Sequence, residues 1–235
     1  MSRVPKPPGV FKWSARTGRH LLGSVWRRVA WTAARVSLHP RLGRGPDWAV
    51  ECLREGWGNK EWAAPLPLLM AIRDGVDQTS GVILDCGSGA STILAALLTR
   101  GTHRRVVALE HDRVWATTTG RRLRQLGCDH AKVVHAPLRD FGDYAWYDIS
   151  GVTLPGRVDL VIVDGPPGAT KGGRRGLLYV VGPSLQPGTL FILDDSQREG
   201  EQAVIDDWIG RFDLRVEETR AEGRVTLLRR GETST

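Results

Sequence analysis

Two hundred and thirty-five residues, 41% hydrophobic and 25% charged, are the make-up of one large globular domain, or one with an appendage. That composition excludes wholesale disorder, collagen-like repetition and a disulfide-stapled miniprotein. The net charge of +7 is uneven: the first 46 residues carry ten Lys or Arg and no Asp or Glu, leaving 23 basic against 26 acidic residues in the rest.

The apolar residues Leu22, Val25, Trp26, Val29, Ala33 and Val36 recur at helical spacing, with Arg27, Arg28 and Arg35 on the other side, so the spacing predicts a basic amphipathic helix. Three roles stand for it: a helix packed on the body or lidding a site, a peripheral contact with a membrane surface or another anionic partner, and a nucleic-acid arm. Pro40, Gly43, Gly45 and Pro46 then break the chain, which marks residues 40–47 as a linker. The expected division is a basic helical extension over 1–46 and a second unit over 47–235. No apolar run approaches the ~20 residues of a membrane-spanning helix. Cys52, Cys86 and Cys128 are scattered without CxxC spacing, and no secretory-type segment opens the chain, so the expected location is cytoplasmic.

From residue 81 onward short β-branched runs alternate with helical segments. Strands are predicted over Val82 to Asp85, Arg105 to Glu110, Ala131 to His135, Val158 to Asp164, Thr189 to Asp194, Asp213 to Glu218 and Arg224 to Arg229. The first five are near-continuous apolar runs, as parallel strands covered on both faces require. Helices are predicted around 91–100, 112–127, 171–184 and 199–211. Residues 220–223 form a hairpin-like connection that turns the last strand antiparallel to its neighbour. The predicted fold is α/β: an open, doubly wound, seven-stranded sheet whose ligands bind at the carboxyl ends of the strands.

The first strand runs into Asp85-Cys86-Gly87-Ser88-Gly89-Ala90-Ser91, a glycine turn that lets a ligand approach the backbone. Twenty-one residues after Gly89, Glu110 ends the second strand, where an acid can accept hydrogen bonds from a ribose. The plain alternative is a structural αβ turn with an unrelated Glu. Thr92 stands where a dinucleotide fingerprint has a small residue, which disfavours a pyrophosphate.

These residues resemble the class I S-adenosylmethionine-dependent methyltransferases. Leu84 to Gly89 looks like their first motif and Glu110 like their ribose-binding acid. Gly56-Trp57-Gly58-Asn59, Trp146-Tyr147-Asp148, Asp164-Gly165-Pro166-Pro167-Gly168 and Asp194-Asp195-Ser196 extend the likeness toward a bacterial branch similar to catechol O-methyltransferase-like proteins. The resemblance implies a Rossmann-like fold and S-adenosylmethionine as cofactor. It implies cofactor contacts from Asp85, Gly87, Ser88, Gly89, Ser91, Glu110, His111, Ala136, Pro137 and Leu138, with Asn59 carried over as well.

Asp164 ends the fourth strand and Asp194 with Asp195 the fifth, so three carboxylates should share one mouth. Either one of them carries a raised pKa and serves as a general base, or a hard divalent cation such as Mg²⁺ sits among them, or an Asp merely caps the next helix. The resemblance implies the Mg²⁺ set Asp164, Asp194 and Asp195, but Gly165 to Gly168 replaces the segment bearing the catalytic lysine of those enzymes, and Lys171 is displaced. His135, at a strand end, is a second candidate base or a structural histidine. Lys171, Arg174 and Arg175 read as recognising an anionic substrate or as a solvated loop, and Arg198 as a substrate contact or a helix ion pair.

The expected function is methyl transfer to a hydroxyl of a small molecule or sugar, with or without Mg²⁺. The rivals are a nucleic-acid methyltransferase using the basic arm, a non-catalytic binding module and, last, a nicotinamide oxidoreductase.

Overall fold

A computed structural model describes residues 17–42, 45–58, 64–154 and 156–231. Among them are seven helices, α1 (Thr17–Ser37), α2 (Asp47–Trp57), α3 (Leu66–Gln78), α4 (Ala90–Thr99), α5 (Arg113–Gln125), α6 (Gly176–Val180) and α7 (Glu199–Phe212). The strands are β1 (Val82–Cys86), β2 (Val106–Glu110), β3 (Ala131–His135), β4 (Leu138–Asp140), β5 (Ala145–Tyr147), β6 (Val158–Val163), β7 (Leu185–Leu193), β8 (Leu214–Arg220) and β9 (Val225–Arg230).

Seven strands form one twisted sheet in the order β3-β2-β1-β6-β7-β9-β8. The first five in that order are parallel, and β9 inserts antiparallel between β7 and β8, as the short 220–223 connection predicts. Every residue of β1 and β2 is buried, because helices cover both faces. One face packs on α1 to α5, through residues such as Leu53, Ile72, Ile93 and Leu123. The other packs on α6, α7 and the β4–β5 hairpin, through Trp146, Leu177, Phe191 and Trp208. The chain runs outward from β1 to β3 and then crosses back to β6, so the switch of strand order lies between β1 and β6.

Several elements differ from the sequence-based expectation. The predicted helix over 171–184 is one short helix, α6, followed by a tight turn at Gly182–Ser184. Gly172 and Gly173 take φ of 71° and 55°, left-handed conformations that prevent a helix from starting earlier. Among its described residues the 40–47 segment holds the 3-10 turn Pro40–Leu42, and α2 begins at Asp47. Helices α2 and α3 and the β4–β5 hairpin were not anticipated; the two strands of the hairpin are three residues each, too short for periodicity to register.

The helix at the chain start is present, but its orientation inverts the expected logic. Ala30, Ala34 and, just past the helix end, Leu38 face the interior, while Val25, Trp26, Val29 and Val36 of the periodic apolar set are exposed and Ala33 is half-buried. Helix α1 packs closely on α2 at Gly56: a Cβ there would stand 2.9 Å from the Trp31 backbone nitrogen and 3.0 Å from its Cα.

Candidate active site

Strand β1 delivers Asp85 and Cys86 to the switch point, and the chain turns at Gly87, whose φ of 121° excludes ordinary side chains. Asp85 is fully buried; its Oδ2 accepts hydrogen bonds from Ser91 Oγ (2.8 Å) and Thr92 Oγ1 (2.6 Å). Thr92 Oγ1 in turn accepts from Gly89 N (3.2 Å), capping the start of α4. Thr92 is therefore a turn-locking residue, a role that comparing it with a dinucleotide fingerprint did not suggest. The second Asp85 oxygen, Oδ1, is buried without a hydrogen-bond partner. Burial, reinforced by the nearby Asp164 and Glu110 carboxylates, pushes the Asp85 carboxyl up to about 8, against the effect of its two hydroxyl donors.

Strand β2 places Glu110 beside this turn. Its Oε2 accepts from Ser88 Oγ (2.9 Å) and its Oε1 from the Asp112 backbone N–H (2.9 Å), so the acid is held against the glycine turn. His111 Nδ1 lies 3.0 Å from Glu110 Oε1. Trp115 Nε1 donates to the Ser88 carbonyl, and Trp115 meets Trp57 edge-on at 5.8 Å, walling the outside of the turn. At the end of β3, Ala136 N donates to Glu110 O (2.7 Å), and Pro137 and Leu138 lead into the hairpin that carries Tyr147. The His135 ring nitrogen Nε2 is 3.1 Å from the His111 carbonyl, so this histidine ties β3 to the segment after β2 through one of its two ring nitrogens. Asn59 lies outside the described residues.

The glycines at 87 and 89, the buried Asp85 beneath them and the positioned Glu110 make a turn that would accommodate an adenosine carrying an amino acid. Asp85 and the Gly87–Ser91 turn would hold the amino-acid end. Glu110 would accept from the ribose, and His111, Ala136, Pro137 and Leu138 would border the base side.

Across the switch point, Gly165 N donates to Cys86 O at 2.6 Å, joining the β6 end to the β1 end. A Cβ at Gly165 would run into the Tyr147 hydroxyl, so Gly is needed for the backbone to pass. Asp164, Asp194 and Asp195 do converge here, but arginines stand among them. Arg174 is buried; it donates to the Asp194 carbonyl and to the Asp164 carbonyl (3.1 Å), and its guanidinium lies 3.9 Å from Asp164 Oδ1, 3.6 Å from Asp195 Oδ2 and 3.7 Å from Glu201 Oε1. Arg224 reaches Asp194 Oδ1 (3.3 Å) and Asp195 Oδ1 (3.1 Å), and Arg198 holds Asp195 Oδ2 at 2.8 Å. Burial and the neighbouring Asp194 push the Asp164 carboxyl up to about 6; burial and Asp195 also raise Asp194, and burial raises Glu201.

This arrangement does not fit the expected Mg²⁺. A divalent ion would have to approach oxygens that already face three guanidinium cations, and among the described residues no group of three ligating side chains is arranged to hold a metal. Lys171 is not part of the cluster. Its ammonium is exposed and pairs with Asp140 on the hairpin at 3.4 Å. The sequence offered Arg174 as an anion-recognising residue or part of a solvated loop, and Arg198 as a substrate contact or a helix ion pair; Arg224 and Glu201 carried no signal, because an Arg beside a hairpin turn and a Glu in a helix's first turn are ordinary surface residues until the sheet closes.

No family model and no curated protein matches the chain. Among solved structures it is similar to the SAH-bound methyltransferase PaMTH1 of Podospora anserina, with a TM-score of 0.57 and 15% identity over 96% of this chain and 100% of that one. It is similar to the O-methyltransferase from Bacillus cereus in complex with SAH, with a TM-score of 0.57 and 13% identity over 88% and 100% of the two chains. It is also similar to the O-methyltransferase TomG from Streptomyces achromogenes in complex with SAM, with a TM-score of 0.53 and 18% identity over 88% and 97%. With its strand order, antiparallel β9 and glycine turn after β1, the chain has the class I S-adenosylmethionine-dependent methyltransferase fold.

Proposed function

We propose that the protein is an S-adenosylmethionine-dependent methyltransferase acting on a hydroxyl of a small molecule or sugar, without a divalent metal. One observation carries the reading: the Asp85–Ser91 turn with Glu110 at its side opens onto the same mouth as Asp164, a half-buried carboxyl pushed up to about 6. When bound, the cofactor supplies an electrophilic sulfonium methyl. Asp164 is ionised at neutral pH yet basic enough to take the proton of an acceptor hydroxyl, the task a general base with a pKa near the working pH performs best. Arg174 and Arg224 hold Asp194 and Asp195 in place, so Asp164 keeps its position without a cation bridging the three. Positioning supplies the rest, since an in-line displacement needs donor and acceptor held in register more than it needs further chemistry. That two of the similar structures are O-methyltransferases supports the hydroxyl acceptor.

The test is calorimetric titration with S-adenosylhomocysteine, followed by a mass-spectrometric search of cell extract for a product one methylene heavier. Binding and an O-methylated product resistant to EDTA are expected. No binding, or binding of NAD instead, overturns the methyltransferase reading; activity that EDTA stops and Mg²⁺ restores overturns the metal-free part.

A further inference from the structure

We propose that the outer face of α1 docks on an anionic lipid bilayer surface. Val25, Trp26, Val29 and Val36 are 56%, 57%, 52% and 63% exposed, although their spacing is that of a buried helix face. At about 100° per residue, Val25, Val29 and Val36 lie within an arc of roughly 40°, with Trp26 on one border and Arg28 and Arg35 on the other. The opposite side of the helix is fixed: Ala30, Ala34 and Leu38 are buried against the body, and Gly56 lets the α1 backbone approach α2 closely. The apolar stripe is therefore held outward by a docked helix and cannot rotate inward to cover itself.

Charge selects the occupant. The first 46 residues carry ten basic and no acidic residues. A second copy packed face to face through this helix would bring Arg28 and Arg35 of both chains together with no acid on either helix to offset them. Nucleic acid would reward the arginines but leave the three valines facing water. A bilayer with acidic headgroups satisfies both: the valines and Trp26 enter the interface, and the arginines meet lipid phosphate.

Co-sedimentation of the full chain with vesicles tests this. Vesicles of phosphatidylcholine with about one-third phosphatidylglycerol, whose negative surface attracts basic side chains, should retain the protein. Pure phosphatidylcholine should retain it at least tenfold less. Val29→Glu should lower partitioning at least tenfold with its thermal midpoint unchanged, since the side chain is exposed, whereas Thr117→Glu on exposed α5 surface should not alter it. Equal retention of the wild type and Val29→Glu overturns the proposal. So does a dimer in solution that Val29→Glu dissociates, or salt-sensitive RNA binding with no vesicle binding.

Discussion

Glu110 and Asp164 show how one residue type takes two tasks from its surroundings. Glu110 already accepts two hydrogen bonds at the turn, and a carboxylate has lone pairs left for a ribose diol. Glu110→Ala should weaken S-adenosylhomocysteine binding by roughly 10- to 100-fold, the loss of one or two charge-assisted hydrogen bonds; calorimetry showing unchanged affinity removes its ribose role. Asp164, pushed up by burial and by Asp194, must be ionised to accept a proton. Activity should therefore fall about tenfold per pH unit below about 6, and Asp164→Asn should abolish that limb together with most turnover. A pH–rate profile flat down to 5 argues against this base. Both acids were legible in the sequence because each ends an apolar strand run. Their pairing with Ser88 and Arg174 was not, since hydrogen bonding across 22 and 10 residues depends on how the strands stack.

Among the elements, α1 carries the clearest lesson about periodicity. Its 3.6-residue apolar pattern identifies a helix correctly and says nothing of which side is covered. Small residues decide that instead, because Ala30 and Ala34 allow a helix–helix approach that bulky valines would hold apart. Gly56→Ala should push α1 off α2, since its Cβ would meet Trp31 backbone rather than a movable side chain. A cost of about 1–3 kcal/mol is expected, with faster proteolysis within α1; an unchanged melting midpoint and cleavage pattern would mean that α1 is not held at this contact. The same limit applies to α6. Its helical composition was readable, but Gly172 and Gly173 delay its start and so bring Arg174 into the mouth.

At the scale of the whole molecule, the cluster of Asp164, Asp194, Asp195 and Glu201 around Arg174 joins the ends of β6 and β7 to α7. Removing one partner of a buried charge network is costly because it leaves charge uncompensated. Arg174→Met should destabilise the fold by about 3–5 kcal/mol at pH 8. The sign with pH follows from the raised carboxyls: without the guanidinium their folded pKa values rise further above the unfolded ones, the native state binds more protons, and stability recovers as pH falls. The gap in melting midpoint between variant and wild type should narrow from pH 8 to pH 5.5. A gap that widens on acidification means the carboxylates are not what Arg174 stabilises.

The sequence by itself determined the doubly wound sheet, its antiparallel closing strand and the glycine turn with its acid, because apolar run length, alternation with helices and glycine placement are local signals that survive without tertiary context. The tertiary structure alone decided what fills the space between the carboxylates and which face of α1 meets solvent. Three aspartates converging at strand ends read as a metal set until Arg174, Arg198 and Arg224 arrive from a turn, a helix start and the far hairpin. Electrostatic partners drawn from distant chain segments leave no pattern in the sequence, since only folding makes them neighbours.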